Sequence, residues 1–314
     1  MTGTTWDTIF GGDVNNVYKG QVGFVAIRDY DPTKPLTNWT PFDTVSGDWS
    51  TSLMTTDGFE ALGYQDENGL EFTPTLQTAD TKAWQSRQKL LTDITEDSES
   101  AMLTGIERTP LIEALETNLP LAAMGSLGQA GYQYTKPTWT TPIVRQVVFG
   151  AVYASALGIS LWARIYPRCQ MIKPDKLSMN AKVEAQAKLT FEALPDTAAG
   201  YAVRTMREGA GWRALGGTTS TPGTPTATAG SAGVASLTFT APTSKNGPFT
   251  YNVFVDAGVV PVTSSNVTVG GTLTQPILTV SGQVAGAHTY KVQAIGSNLS
   301  GSAKSGASNS VTVS

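Results

Sequence analysis

The strongest pattern in the chain is a strict alternation from Ala181 to Glu192. Ala181, Val183, Ala185, Ala187, Leu189 and Phe191 fall on one side; Lys182, Glu184, Gln186, Lys188, Thr190 and Glu192 fall on the other. A period of two over this length predicts a long strand with one buried and one charged face. Leu157, Ile159, Leu161, Ala163 and Ile165 alternate in the same way with Gly158, Ser160, Trp162 and Arg164. Shorter apolar runs predict further strands over residues 22–28, 70–78, 88–94, 99–106, 146–153 and 200–206, separated by polar turns such as TEDSES (Thr95 to Ser100). Thr109-Pro110 opens a short helix over about 109–118, because proline is tolerated at the first helical position. Leu111 and Leu115, at i and i+4, give that helix one apolar face. Residues 1–216 therefore read as a mainly antiparallel β module with one short helix. Long two-faced strands with bare edges invite aggregation, and a closed ring of subunits is one way to remove the edges.

Residues 31–69 interrupt this pattern with a stretch rich in Pro, Thr, Asp and Gly that also holds Trp39, Phe42, Trp49, Phe59 and Tyr64. A segment of that length inside a compact domain is usually functional or disordered. Aromatic rings are costly to leave in water, at roughly 25 cal/mol per Å2 of apolar surface, so a segment that packs on something is expected. The packing partner is a neighbouring copy or, alternatively, the module's own barrel.

Past Gly216 the composition changes. The chain has 21 basic and 25 acidic side chains, and only Lys245, Lys291, Lys304 and Asp256 lie in residues 217–314. Residues 217–233, with Pro222 and Pro225 among Gly, Ser, Thr and Ala, read as a linker. Strands are expected beyond it at 234–241, 249–256, 276–281, 287–295 and 308–313, the spacing of a β-sandwich.

The chemistry-bearing residues are few. A net charge of −4, concentrated as acid in the first module, argues against sequence-specific reading of nucleic acid. One cysteine, Cys169, excludes an internal disulfide, and one histidine, His288, leaves most metal and general-base schemes without a second member. His288 is expected to be an ordinary strand-end side chain, and Cys169 a small, partly buried thiol. The acidic residues Asp57, Glu60, Asp66, Glu67 and Glu71 lack the glycine-centred spacing of a calcium loop, so no metal is expected. Gly209-Ala210-Gly211 has no preceding βα unit and no phosphate-binding lysine; no cofactor is expected. The sequons at Asn38, Asn266 and Asn298 carry little meaning, since the opening MTGTTWDTIFGGDVNN has no basic region or apolar core that would predict a secretory leader. Gln146 to Ala163 is uncharged over 18 residues, but its alternation favours a strand over a membrane helix. No catalytic constellation emerges.

Gly63-Tyr64, Gly69-Leu70, Pro74-Thr75 and the Asp80…Trp84-Gln85 ending resemble the major tail proteins of bacteriophages with long, non-contractile tails. TEDSESAMLTGIE, TPLIEALET and the late strands follow in that family's order, so the resemblance covers most of residues 1–216. The second module is similar to fibronectin-III or bacterial immunoglobulin-like domains, through Ala235 to Phe239, Thr289 to Val292 and Ser308 to Val313. Tyr290 is placed like a corner tyrosine, and Phe239 stands where many such domains carry Trp. The resemblance implies an antiparallel β-barrel or sandwich that forms stacked hexameric rings, a virion tail tube made and assembled in the host cytoplasm. Its partners would be further copies of itself, a tape-measure protein and viral DNA in the lumen, with a host-surface ligand possible for the second module. On this reading Trp39, Phe42, Trp49 and Phe59, with residues 1–20, are candidate contacts between rings. A competing class is a secreted adhesin or carbohydrate-binding protein, and a third is an enzyme with an accessory module; the lone His and Cys and the Trp-free second module weaken both.

Overall fold

The computed structural model describes residues 16–82, 84, 88–139, 141–172, 177 and 184–314. Among the described residues the protein is mainly β, with antiparallel sheets and two short helices. It divides into two compact units, Met1–Gly209 and Ala210–Ser314.

Among the described residues the first unit is built on one sheet of eight strands: β1 (Val22–Asp29), β2 (Glu60–Ala61), β3 (Gln65–Lys82), β4 (Lys89–Gly105), β5 (Val144–Ser155), β6 (Gly158–Met171), β7 (Ala187–Ala193) and β8 (Arg204–Glu208). The strand order is β2-β1-β5-β6-β7-β4-β3, and β8 also pairs with β6. One face carries Val25, Ile27, Val147, Phe149, Tyr166, Leu189, Phe191 and Leu103, all buried in a single cluster. The helix α1 (Pro110–Thr117) covers that cluster with Leu111, Ile112 and Leu115. The Thr109 hydroxyl accepts from Ile112 N–H at its start, and Asn118, at φ 55°, closes its end. Gly105 lets the helix approach β4, since a Cβ there would lie 2.8 Å from Ile112 Cδ1.

The opposite face of β1, β5 and β6 is covered by the segment between β1 and β2. Leu36, Leu53 and Phe59 are buried against Ala26, Val148 and Ile165, and Phe42 against Leu161 and Ala163. The sheet is thus buried on both sides near its centre. This explains the uncharged run from Gln146 to Ala163, which lies in β5 and β6. Among the described residues no helix is long and apolar enough to cross a membrane.

Several strands differ from their sequence patterns; β3, expected over 70–78, runs from Gln65 to Lys82, and β2 lies in the segment expected to be without strand. The runs at 88–94 and 99–106 are one 17-residue strand, β4, with Thr95 to Ser100 inside it and not in a turn. Thr95 to Asp97 are polar because β4 faces water there, not because the chain bends. The alternation at 181–192 becomes strand only from Ala187 to Ala193, where β4 and β6 supply partners. Ala181 to Val183 lie outside the described residues. The strand expected at 200–206 runs instead from Arg204, while Tyr201 forms an isolated bridge with Asp196.

The second unit opens with α2 (Ala210–Leu215), which the glycine-rich sequence around it concealed. Its strands are β9 (Thr226–Ala229), β10 (Ala235–Thr238), β11 (Thr250–Val255), β12 (Val267–Gly271), β13 (Pro276–Val280), β14 (Gly286–His288), β15 (Tyr290–Ile295) and β16 (Val311–Val313). They form sheets ordered β12-β13-β10-β9, β11-β15 and β14-β16 around Leu237, Phe239, Val253, Leu278, Val280, Tyr290 and Val292.

Residues 217–233 are not a free linker. β9 pairs with β10 over Thr226 to Ala229, and Ala227 is buried in the core of this unit. Upstream, Thr219 Oγ1 donates to Ser300 O at 2.6 Å and accepts from Asn246 Nδ2 at 2.7 Å. Hydroxyl and amide groups fasten this segment where apolar side chains are scarce, so its composition resembled a linker. Tyr290 is fully buried, but its hydroxyl has no hydrogen-bond partner among the described residues, so it does not make the backbone bond expected of a corner tyrosine.

Candidate assembly surface

β3 and β4 form a hairpin longer than the sheet that carries it. Only Ser100 to Gly105 of β4 pair with β7. Beyond that point β3 and β4 pair with each other, from Thr73↔Ser100 to Lys82↔Lys89. Every described residue from Leu76 to Asp97 is exposed. At about 3.4 Å per residue, the seven residues from Leu76 to Lys82 carry the ribbon roughly 24 Å past the sheet. Pro74 is tolerated because β3 is a sheet edge.

The ribbon carries apolar groups with nothing of their own to cover them. Leu76 is 62% exposed, Ile94 65%, Leu91 56%, Leu90 62% and Trp84 99%. Leu76 lies on the same side of β3 as Leu70 and Phe72, which pack against the inner cluster. Ile94 opposes Thr78 and so shares that side. The core-facing side of the sheet thus continues outward beyond the unit's own core. Asp80, Asp93, Glu96 and Asp97 lie among these groups, with Lys82 and Lys89; Lys89 pairs with Asp80 at 2.7 Å. Charges on an edge discourage indiscriminate strand addition.

The ribbon is fastened where it leaves the sheet. Glu99 binds Arg164 through both carboxylate oxygens, and Tyr166 donates to Glu99 Oε1 at 2.6 Å. The Arg164 guanidinium lies 5.4 Å from the centre of the Phe72 ring of β3. Burial pushes the Glu99 carboxyl up, but the hydrogen bonds from Arg164 and Tyr166 outweigh it and hold the group below its ordinary value. Burial, followed by the bond to Glu99, raises the Tyr166 phenol.

Of the two packing partners the sequence left open for segment 31–69, its own sheet is the one that Phe42 and Phe59 cover. Phe42 and Phe59 are 3% and 2% exposed, inside their own unit, and are not available as contacts between rings. Trp39 and Trp49 are half-buried: Trp39 packs beside Phe59, and Trp49 lies 4.8 Å from the ring centres of both Phe24 and Phe42. Arg28 organises the segment, donating to Gln146 Oε1 at 2.6 Å, to Lys34 O at 2.9 Å and to Asp57 O, with its guanidinium over Phe59. Trp39 Nε1 donates to Asp57 Oδ2 at 3.0 Å. The segment is a flap closed over its own sheet, because that face of β1, β5 and β6 is apolar and needs cover. Residues 1–15 lie outside the described residues.

The remaining sequence candidates do not converge. Among the described residues no group of His, Cys, Asp and Glu could hold a metal ion, and Asp57 is engaged by Trp39 and Ser52. Cys169 is fully buried and donates to Arg145 O at 3.5 Å; burial pushes its thiol up, away from the reactive thiolate. A cleft of about 580 Å3 opens beside the starts of β1 and β3, with Tyr18, Tyr64, Asp66 and Trp162 in its walls and no Lys, Arg, His or Cys among its lining residues. Sequence reasoning missed the ribbon as a unit because exposed strand and polar turn have the same composition. The apolar run in β3 around Leu70, Phe72 and Leu76, facing a run of similar length in β4, was the signal that could have found it.

No family model matches the chain, and no curated protein matches it.

Proposed function

We propose that the chain is a structural subunit of a bacteriophage tail tube, assembling into stacked hexameric rings through which DNA passes. The observation that carries this reading is the β3–β4 ribbon. It extends the apolar side of the sheet into solvent, on two strands whose outer edges have no strand partner among the described residues. Such a surface suits a second copy better than a small molecule, because an adjacent sheet can cover side chains and edges together. Exposed acidic groups on the same ribbon suit a tube that must not hold the phosphate backbone during passage. Further copies, a tape-measure protein and DNA are the proposed partners in the virion tail. The second unit, with its buried Leu237, Val253, Leu278 and Val292, supports the finer reading of an immunoglobulin-like or fibronectin-III-like decoration.

The test is sedimentation and negative-stain microscopy of the wild type and of a Leu76→Glu/Ile94→Glu variant. Ring-sized or tubular species that grow with concentration are expected for the wild type, and folded single subunits for the variant. A wild type that stays monomeric at all concentrations, with and without its tail partners, would overturn the proposal.

A further inference from the structure

The second unit contains one acidic residue, Asp256, and the chain contains one histidine, His288; the two are bonded to each other. Asp256 follows β11 at φ 51°, a left-handed conformation that Asp tolerates better than most residues. Its Oδ2 lies 2.9 Å from His288 Nδ1, and its Oδ1 accepts from Thr289 N–H at 2.9 Å. On the far side of the ring, His288 Nε2 lies 2.8 Å from the carbonyl oxygen of Val284. Both ring nitrogens therefore face acceptors.

A neutral imidazole has a single N–H. If that hydrogen sits on Nε2, the Nδ1 lone pair confronts the Asp256 carboxylate. If it sits on Nδ1, the Nε2 lone pair confronts the Val284 carbonyl. Only the imidazolium satisfies both contacts. The ring joins three pieces: the end of β11, the turn between β13 and β14, and β14 itself, which pairs with β16 over just three residues. Tyr290 stands 6.4 Å away from ring centre to ring centre, and Val311, opposite His288 on β16, carries no charge. Of the other cations nearby in sequence, Lys304 lies over the Phe254 ring and donates to Gly258 O, and Lys291 sits opposite Phe254 on β15.

We infer that His288 is a protonation-dependent latch, holding the 281–286 turn to the end of β11 as the imidazolium and releasing it when the proton leaves. The core strand β15 is not part of the release, because Tyr290 and Val292 are held by the apolar cluster. The bond to Asp256, and after it the bond to Val284, raises the His288 pKa above its ordinary value. The latch's contribution is thus complete below about 6.5, the ordinary imidazole value, and is lost as pH rises through the higher folded value. Asp256 remains a carboxylate across this window, because its bonds from Thr289 and His288 lower its pKa. The exposed Val284 rides on the released turn.

Histidine C2-hydrogen exchange, read by mass spectrometry on the full chain, gives the titration midpoint whatever the size of the assembly. Amide exchange on the same samples gives the protection of residues 281–288. The expected result is a midpoint above the ordinary imidazole value, with protection of 281–288, corrected for intrinsic rates, falling at least tenfold through it while β10 and β15 are unchanged. His288→Gln should remove the pH-dependence, and Asp256→Asn should return the midpoint to the ordinary value. An ordinary midpoint in the wild type, or the same fall in protection in His288→Gln, would overturn the latch.

Discussion

The Tyr166 hydroxyl donates to Glu99 Oε1 at 2.6 Å, at the point where β4 leaves the body of the sheet and continues as the free ribbon. Glu99 also holds Arg164, so one nearly buried carboxylate ties the ribbon's base to β6. Its depressed pKa sets the sign of a pH effect. Stability from Glu99 is present above the unfolded carboxyl value and is lost as pH falls through the lower folded value. Glu99→Gln should cost about 2 kcal/mol at neutral pH, because it leaves Arg164 without its charge partner. Acid denaturation curves of the two proteins should converge as pH drops; parallel curves would dissociate Glu99 from the acid transition.

Arg28 should be the keystone of the flap. Three elements meet at its guanidinium, through Gln146, Lys34 and Asp57. Arg28→Met keeps much of the stem but leaves two carbonyls and an amide without their donor. We expect about 2–3 kcal/mol of lost stability and faster proteolysis within residues 31–59. Unchanged cleavage would show that apolar packing alone holds the segment.

Trp49 is expected to act on folding of its own subunit. It fills the space between Phe24 and Phe42, so Trp49→Ala should lower the denaturation midpoint of isolated subunits by roughly 2 kcal/mol in free-energy terms. A variant with wild-type stability that fails only in association would restore the inter-ring role for this residue.

In the second unit the outer edge of β15 is closed by serines spaced three apart. Ser302, Ser305 and Ser308 each accept from a β15 N–H through Oγ, and each donates its own N–H back to a β15 carbonyl. Three residues of one segment match two of the other, so a chain that is not a strand protects a strand edge. Ser305→Ala strands the buried Val292 N–H and should cost about 1–3 kcal/mol in thermal unfolding. Ser310→Ala, outside the ladder, should be near neutral; equal effects would remove the ladder's special standing.

The start of the second unit can be checked with fragments. A fragment beginning at Val234 lacks β9 and the Thr219 contacts, whereas one beginning at Ala210 keeps both. Cooperative unfolding is expected only for the longer fragment. Equal melting temperatures would mean that β9 is dispensable.

The β class, the short helix opened by Thr109-Pro110 and the change of character near Gly216 were legible in the chain alone, because each is written in local chemistry: a period of two, a proline at the first helical position, a composition. Burial on one face is what a period of two reports, so β7 was legible, though only as far as its strand partners extend. Polar residues of the β3–β4 ribbon looked like turns, since a strand exposed on both faces has no apolar period to display. Residues 217–233 looked like a linker, since β9 is held by backbone pairing and one small buried alanine, and the segment before it by hydroxyl and amide groups. The flap, the Glu99–Arg164–Tyr166 knot and the Asp256–His288 pair were decided by tertiary structure alone. Glu99 and Tyr166 stand 67 residues apart and Arg28 and Gln146 stand 118 apart, and only the strand order brings them together. Whether Trp39 and Trp49 covered a neighbour or their own sheet depended on the outer face of β1, β5 and β6 being apolar and within reach, a property of the assembled sheet and of no single segment.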